Sequence, residues 1–587
     1  MSTSSTKETK TAAELLIECL EEEGVEVIFG IPGEENLAVI EALSHHPNIR
    51  FITTRHEQGA AFMADVYGRL SGKAGVCLAT LGPGATNLVT GVADADSDGA
   101  PLVAITGQVG TERMHLTSHQ FLNLTKIFEP ITKRTKMVVR PESMNEIVRL
   151  AFKYAENEKP GATHIDLPVD IGKQQIDAAI RPIHKKIAPK EYADLSSIET
   201  AAGLLFQAKH PVMLTGAGAI RSHAADAVTR FADNLKIPVV NTMMSKGIIP
   251  FDDPYSMWTV GIPQKDYQNK ILADADLILA VGYDLVEYAP QKWNPDMSKS
   301  IIHIDQRPAH INQYYQAEVE VVGDISDSLD RISCRCRRTS EPESALAIRE
   351  QMLQEYKQYE NDMSFPVKPQ KILWDIRKVL GPEDILISDV GAHKMWIARH
   401  YPCYCPNTAI ISNGFASMGI AVPGAIAAKL LYPEKKILAV TGDGGFMMNN
   451  QEMETAFREG LPIVVLIFHD DSYGLIKWKQ MDQYGRSSCV DFTNPDFVKF
   501  AESMHGIGYR IEKTEELIPT LELAFKQTVP VVIDCPVDYR ENEKLTAHLK
   551  ELSEQLNHSS GYSQSASLLA HNQITASQFI RRGLYPS

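Results

Sequence analysis

No apolar run in this sequence approaches the ~20 residues that a helix needs to cross a bilayer, which excludes a membrane span. Cysteine is scarce: eight in 587 residues cannot build a disulfide framework, and a reducing compartment fits them. Cys334 and Cys336, like Cys403 and Cys405, stand one residue apart where structural zinc sites use a two-residue spacer, which disfavours a four-thiolate metal site. An excess of basic charge is also lacking. With 58 Lys and Arg against 74 Asp and Glu, a net charge of −16, nucleic acid is disfavoured as the main partner. The leader MSTSSTKETK is polar and runs into an amphipathic helical pattern without the apolar core of a secretory signal, so a cytoplasmic location is expected. No short-period repeat is visible, which sets solenoids aside.

What is present is a globular composition, 44% hydrophobic and 22% charged. The chain is too long for one core, since single cores stop growing near ~250 residues. Short apolar runs alternate with helical patterns: VEVIFGI, RFITTR, GVCLATL and PLVAITG early, PVMLTGAGAI, IPVVNT, ADLILAVG and SIIHIDQ next, then DILISD, KKILAVTG, LPIVVLIF and VPVVIDCP. This alternation specifies doubly wound parallel sheets, whose ligands sit at the carboxyl ends of strands. The expected fold class is α/β, with three doubly wound parallel-sheet domains. The boundaries read as a polar leader 1–10, a first domain 11–180, a linker 181–196, a central domain 197–335, a linker 336–365, a third domain 366–540, and a polar, mobile tail 541–587 with a weak helical stretch near LTAHLKELSEQL.

The strongest local signal is KILAVTGDGGFMMNNQEMETA, in which a strand runs into Gly442, Asp443, Gly444 and Gly445 and a helix follows. Glycines let backbone N–H groups approach a phosphate, the helix N-terminus adds its dipole, and Asp443 offers a hard oxygen to a divalent cation. A tight turn in which Asp443 merely caps the helix is the alternative. The next strand, LPIVVLIF, ends in His469, Asp470, Asp471 and Ser472, one βα unit later. A parallel sheet returns that second carboxylate to the same edge, and Asp443, Asp470 and Ser472 become candidate protein ligands of an octahedral Mg2+ site. Glu57 likewise follows a strand and opens a helix; an ordinary first-turn glutamate favoured by the helix dipole is its alternative.

These phrases resemble those of thiamine-diphosphate-dependent enzymes. In that family the GDG motif is followed by an Asn-Asn pair where this chain has His469-Asp470; the second position is the metal ligand, and aspartate serves there in the catabolic acetolactate synthases. RFITTRHEQGAAFMADVYGRLSG resembles the cofactor-activating segment, which implies that Glu57 hydrogen-bonds the pyrimidine N1′ and favours the imino tautomer. DVGAHKMW implies that Gly391, Ala392 and His393 meet the diphosphate. SNGFASMGIAVPGA implies that the Ala416 carbonyl receives the 4′-amino group and that Met418 wedges beneath the bent rings. Tyr473 is implied at the cofactor, Gly33 near the reacting carbon, and Gln120 at bound intermediates. Glycines 82 and 84 read as turn residues.

The resemblance covers residues 11–540 and implies pyrimidine-binding, central and diphosphate-binding domains, thiamine diphosphate with Mg2+, a small 2-ketoacid substrate such as pyruvate, and a homodimer or homotetramer. FAD is disfavoured: the central GAGAI lacks the clear acidic residue expected ~20 positions later, so Gly216 and Gly218 read as packing residues. Within the family the chain most resembles the catabolic, flavin-independent acetolactate synthases, through SHQFLNLTKIFEPITK, GYDLVEYAPQKWN and VDFTNPDFVKFAES. The implied reaction condenses two pyruvates to 2-acetolactate and CO2. Ser118-His119 stands where pyruvate decarboxylases carry paired histidines. Trp478 falls one position before the place of the tryptophan that selects 2-ketobutyrate in anabolic synthases, and Lys479 occupies that place. Glu34-Glu35 departs from the small residue and lysine of catabolic synthases. Other readings are a different 2-ketoacid decarboxylase or carboligase, a flavin-containing pyruvate oxidase, and a silent regulatory subunit. Intact Glu57, Asp443 and Asp470 argue against the last.

Overall fold

A computed structural model describes residues 8–186, 189–262 and 266–559. The apolar runs form three six-stranded sheets in which all paired strands are parallel. Central strands such as Leu102–Gln108 and Leu277–Val281 are buried at every position, because helices cover both faces of such sheets and leave no side for water.

In the first sheet the strands lie in the order Arg50–Thr53, Val27–Gly30, Gly75–Ala79, Leu102–Gln108, Ala162–Pro168, Arg134–Met137. The third repeats that topology: Ala409–Ile411, Ile385–Ser388, Ile437–Gly442, Val464–His469, Val531–Pro536, Ile507–Arg510. In the central sheet, Pro211–Thr215 and Leu277–Val281 pair at the point where the strand order reverses. Crevices for ligands open at such reversals. In the third sheet the reversal falls between Ile385–Ser388 and Ile437–Gly442, the two strands that lead into DVGAH and GDGG.

The first and third domains share one core. The helix Glu57–Ser71 contributes Ala60, Ala61, Ala64 and Val66, and the helix Ala421–Leu431 contributes Val422, Ala425, Ile426 and Ala428. Small residues let the two approach closely: a Cβ on Gly424 would lie 2.9 Å from a Val66 methyl and 3.1 Å from an Ile387 methyl. Gly424→Ala would gain about 1 kcal/mol of helix propensity and lose about 1–3 kcal/mol to overpacking. Overpacking wins, and a lowered urea midpoint is expected; a raised one would show that the interface yields freely.

Three boundaries differ from the sequence reading. The linker 336–365 contains the helix Glu343–Lys357, which buries Ala345, Ile348 and Met352. Thr9–Thr11 is no leader but a short strand paired antiparallel with Gln175–Asp177. Arg540–Ser559, read as the start of a mobile tail, is a helix that buries Leu545 and Leu549. It docks because two buried indoles need acceptors: Trp396 Nε1 donates to Asn542 at 2.7 Å and Trp478 Nε1 to Thr546 at 2.8 Å. Residues 1–7 of the leader and 560–587 of the tail lie outside the described residues. Among the described residues, no helix is long and apolar enough to cross a membrane. All eight cysteines are free, and among the described residues none belongs to a cluster that could hold a metal.

Candidate active site

A cavity of ≈ 160 Å³ opens at the strand-order reversal of the third sheet. Three strand ends build it. Gly391, Ala392 and His393 follow the first, Gly442, Asp443, Gly444 and Gly445 the second, and Asp470, Ser472 and Tyr473 the third. Ala416 and Met418 enter from the loop after Ala409–Ile411. Every residue of the third domain that the sequence proposed for cofactor or metal therefore lines one space. The glycines are required by crowding as well as turning: a Cβ on Gly391 would sit 2.8 Å from the His393 ring and one on Gly444 2.9 Å from the Tyr473 ring. Ala416 adopts φ +60, a conformation that costs a non-glycine residue about 1–2 kcal/mol.

His393 is buried and its Nε2 has no hydrogen-bond partner. Burial lowers its pKa to about 3, so the ring is neutral. An unsatisfied buried nitrogen beside a glycine-lined cavity fits a polar ligand that would complete its hydrogen bonding.

Asp443 accepts from the N–H groups of Gly444 (2.8 Å), Asp470 (3.2 Å) and Asp471 (2.7 Å) and from Asn494 Nδ2 (2.9 Å). Burial nevertheless raises its pKa. Asp470, which accepts from Ser472 Oγ at 2.7 Å, is pushed up to about 7 by burial, with the neighbouring Asp443 charge adding to it. Two carboxylates that resist ionisation at one cavity edge are what a divalent cation relieves. Asp443, His469 and Asp471 also have ligand atoms within 4.8 Å of one another, but His469 is engaged on both ring nitrogens, with Asp534 (2.7 Å) and Asp471 (3.0 Å). The Asp534 hydrogen bond raises it to about 9. A protonated imidazole offers no lone pair, so His469 is an ion-pair partner and Asp470 is the second carboxylate at the cavity.

Glu57, Gly33 and Gln120 are absent from the lining of this cavity. They gather instead at the carboxyl edge of the first sheet, around Thr80–Gly84. Glu57 opens its helix, is buried, and accepts from Asn87 Nδ2 at 2.9 Å. A Cβ on Gly84 would lie 3.2 Å from Glu57 Oε1, and one on Gly33 2.5 Å from Thr80 Cβ. Gly82 is a turn residue at φ +57, packed on Gln120, which is itself at φ +57. From the third domain, the Glu452 carboxylate accepts the N–H groups of Arg55 (3.1 Å) and His56 (3.0 Å) just ahead of Glu57. Sequence reasoning missed Asn87, Glu452, Asp389 and Tyr539. Asp389, in SDVG, lies just past a strand end and was open to the same argument as its neighbours, whereas Asn87, in LGPGATN, stands inside the helix Pro83–Asp98.

In the central domain a Cβ on Gly216 or Gly218 would meet Gly282 atoms at 2.5 and 2.8 Å, so these glycines pack one loop on another. The Ala217 N–H donates to Glu287 Oε1 at 2.9 Å, and Thr242 Oγ1 donates to Oε2. A carboxylate of the chain thus takes the N–H at this helix start.

The model of the N-terminal TPP binding domain of thiamine pyrophosphate enzymes matches residues 10–129, that of the central domain 198–332, and that of the C-terminal TPP binding domain 389–535. An acetolactate synthase of Bacillus subtilis is 36% identical over 559 residues, 93% of this chain and 97% of that protein. A probable acetolactate synthase large subunit of Methanocaldococcus jannaschii is also 36% identical, over 90% of this chain and 92% of its own length. A protein of Raoultella terrigena named as a catabolic acetolactate synthase is 34% identical, over 92% and 97%. With three matched domains in order and a glycine-lined, doubly acidic cavity at the third sheet's reversal, this chain belongs to the thiamine pyrophosphate enzymes, as a member of the acetolactate synthase family.

Proposed function

We propose that this enzyme condenses two molecules of pyruvate into 2-acetolactate and CO2, with thiamine diphosphate and Mg2+ held in the cavity of the third domain. The observation that carries the reading is the convergence of Asp443, Asp470, the GDGG backbone and the unsatisfied His393 nitrogen on that one space. Thiamine diphosphate supplies there an acidic carbon able to take up a 2-ketoacid. Asp443, Asp470 and Ser472 hold the metal, Ala416 and Met418 hold the cofactor in shape, and Glu57 moves the activating proton. Glu57, Gly33 and Gln120 lie off the cavity of their own chain; as the resemblance to the family implies, they serve the cavity of a second copy, and the smallest active unit is a dimer.

Leu475 and Ile476 line the cavity, while Trp478 is buried against the helix Arg540–Ser559. Pyruvate as acceptor fits that arrangement, because the indole is turned away. Glu35 accepts from Thr80 Oγ1 at 2.9 Å, beside Gly33, which makes Glu34 and Glu35 the first places to examine if pyruvate is refused.

Purified protein given thiamine diphosphate, Mg2+ and pyruvate is expected to release about one CO2 per two pyruvates, with acetolactate as the main product by nuclear magnetic resonance. Chelation of the metal should stop turnover and added Mg2+ restore it. Chiefly acetaldehyde, or acetyl phosphate with oxygen uptake, would overturn the condensation reading and leave the family assignment standing. With Glu287 filling the central donor site, the protein is expected to be colourless; a flavin absorption band in the pure enzyme would overturn that point alone.

A further inference from the structure

The loop between Ile411 and Gly419 carries Ala416 and Met418 into the cavity, yet it is held from outside its own domain. Ser412 Oγ donates to Asp94 Oδ1 at 2.7 Å, and the Ser417 N–H donates to the same oxygen at 3.3 Å. The N–H groups of Asn413 and Gly414 donate to the two oxygens of Asp98 at 3.1 and 2.5 Å. Both aspartates lie on the helix Pro83–Asp98 of the first domain. Neither lines the cavity. Arg69 pairs with each at 2.8 Å and with Asp65 at 2.6 Å, and all three carboxylates are withdrawn from water. At its other end the loop is held by the third domain: the Gly419 N–H donates to Asp389 at 2.8 Å and its carbonyl accepts from Asn449 at 2.9 Å. Between the two anchors sits Ala416 in its left-handed conformation.

Three buried acids on one guanidinium are a poor way to gain stability. Desolvation offsets much of the attraction, and apolar packing of the same volume commonly does as well. What such a cluster supplies is direction, since each oxygen accepts from a specific backbone or hydroxyl donor. Gly414 shows how little latitude is left: a Cβ there would lie 2.5 Å from Asp98 Oδ1 and 2.7 Å from Ser97 Oγ. No shift of the loop toward the helix is open to it.

We propose that Asp94 and Asp98 are positioning residues of this reaction: through Ser412, Asn413, Gly414 and Ser417 they fix the backbone that presents the Ala416 carbonyl and the Met418 side chain to the cofactor. The first domain therefore contributes to catalysis twice, through Glu57 at the start of one helix and through two carboxylates near the end of the next. This rests on the reading of the cavity as the cofactor site.

The test uses the holoenzyme and two lesions of different kind. Asp98→Asn places an NH2 against an N–H donor, and Gly414→Ala pushes the loop while leaving every charge intact. Both are expected to bind thiamine diphosphate and Mg2+ with nearly wild-type affinity and to keep the KM for pyruvate. Both are expected to lose about 10²-fold in kcat, the scale of a misplacement near 1 Å, and to slow exchange of the bound cofactor's C2 proton by the same factor. Wild-type exchange in both variants overturns the proposal, as does a loss of kcat that merely follows loss of cofactor affinity. If Asp98→Asn does not fold, Gly414→Ala decides alone. A wild-type protein that binds no thiamine diphosphate would instead sink the underlying reading of the cavity.

Discussion

Glu57→Gln is expected to leave cofactor binding intact and to lower turnover by about 10³-fold, within the range of a lost acid–base group. Glutamine can still accept a hydrogen bond from Asn87, which reaches Glu57 Oε2 at 2.9 Å in the wild type, and it can still face the pyrimidine ring. It cannot take or return a proton. The helix start is held independently of this side chain, because Glu452 accepts the N–H groups of Arg55 and His56. The variant should therefore fold, and its loss should be chemical. Exchange of the cofactor C2 proton, followed by nuclear magnetic resonance, is the direct readout. An unchanged exchange rate would remove Glu57 from the mechanism, whatever happened to overall activity.

Asp443→Ala is expected to abolish metal-dependent cofactor binding, since it removes a cavity carboxylate and the acceptor of four hydrogen bonds from Gly444, Asp470, Asp471 and Asn494. Mixing this inactive variant with inactive Glu57→Gln then reads out how the site is divided. In a two-fold dimer that shares its sites, a mixed pair holds one site with both lesions and one with neither. Equal amounts under random exchange give half mixed pairs, each with one live site of two, so activity should recover to about a quarter of wild type. If instead each chain built a complete site, every site would carry one lesion and nothing would recover. Absence of recovery, with exchange confirmed by mass-tagged subunits, would count against the dimer as the smallest active unit.

The candidate site residues of the third domain were legible because their signals are local. Gly442–Gly445, Asp470 and His393 stand just past apolar runs, and in a parallel sheet every such strand end returns to one edge. Alternation of apolar runs with helical patterns determined the α/β class and the three units for the same reason: a strand buried on both faces must be apolar throughout. Several edge strands escaped notice. Arg134–Met137, Val319–Val322 and Ile507–Arg510 are four residues each and only partly buried, and they are strands because a neighbour offers a free edge. The helix Arg540–Ser559 reads as polar, and its place depends on indoles at 396 and 478 that share no local pattern with it. Asp94, Asp98, Glu287 and Glu452 were anonymous acids in the sequence; Asp94 and Asp98 meet partners more than 300 residues away, and Glu452 meets Arg55 and His56. The sequence by itself determined which strand ends of the third domain meet at the cavity, since turn, glycine and carboxylate are properties of a few neighbouring residues. Tertiary structure alone decided that Glu57 stands apart from its own chain's cavity and that first-domain carboxylates hold the loop of Ala416 and Met418. A buried charge acquires its role from whatever donors the fold brings to it, and nothing along the chain encodes that meeting.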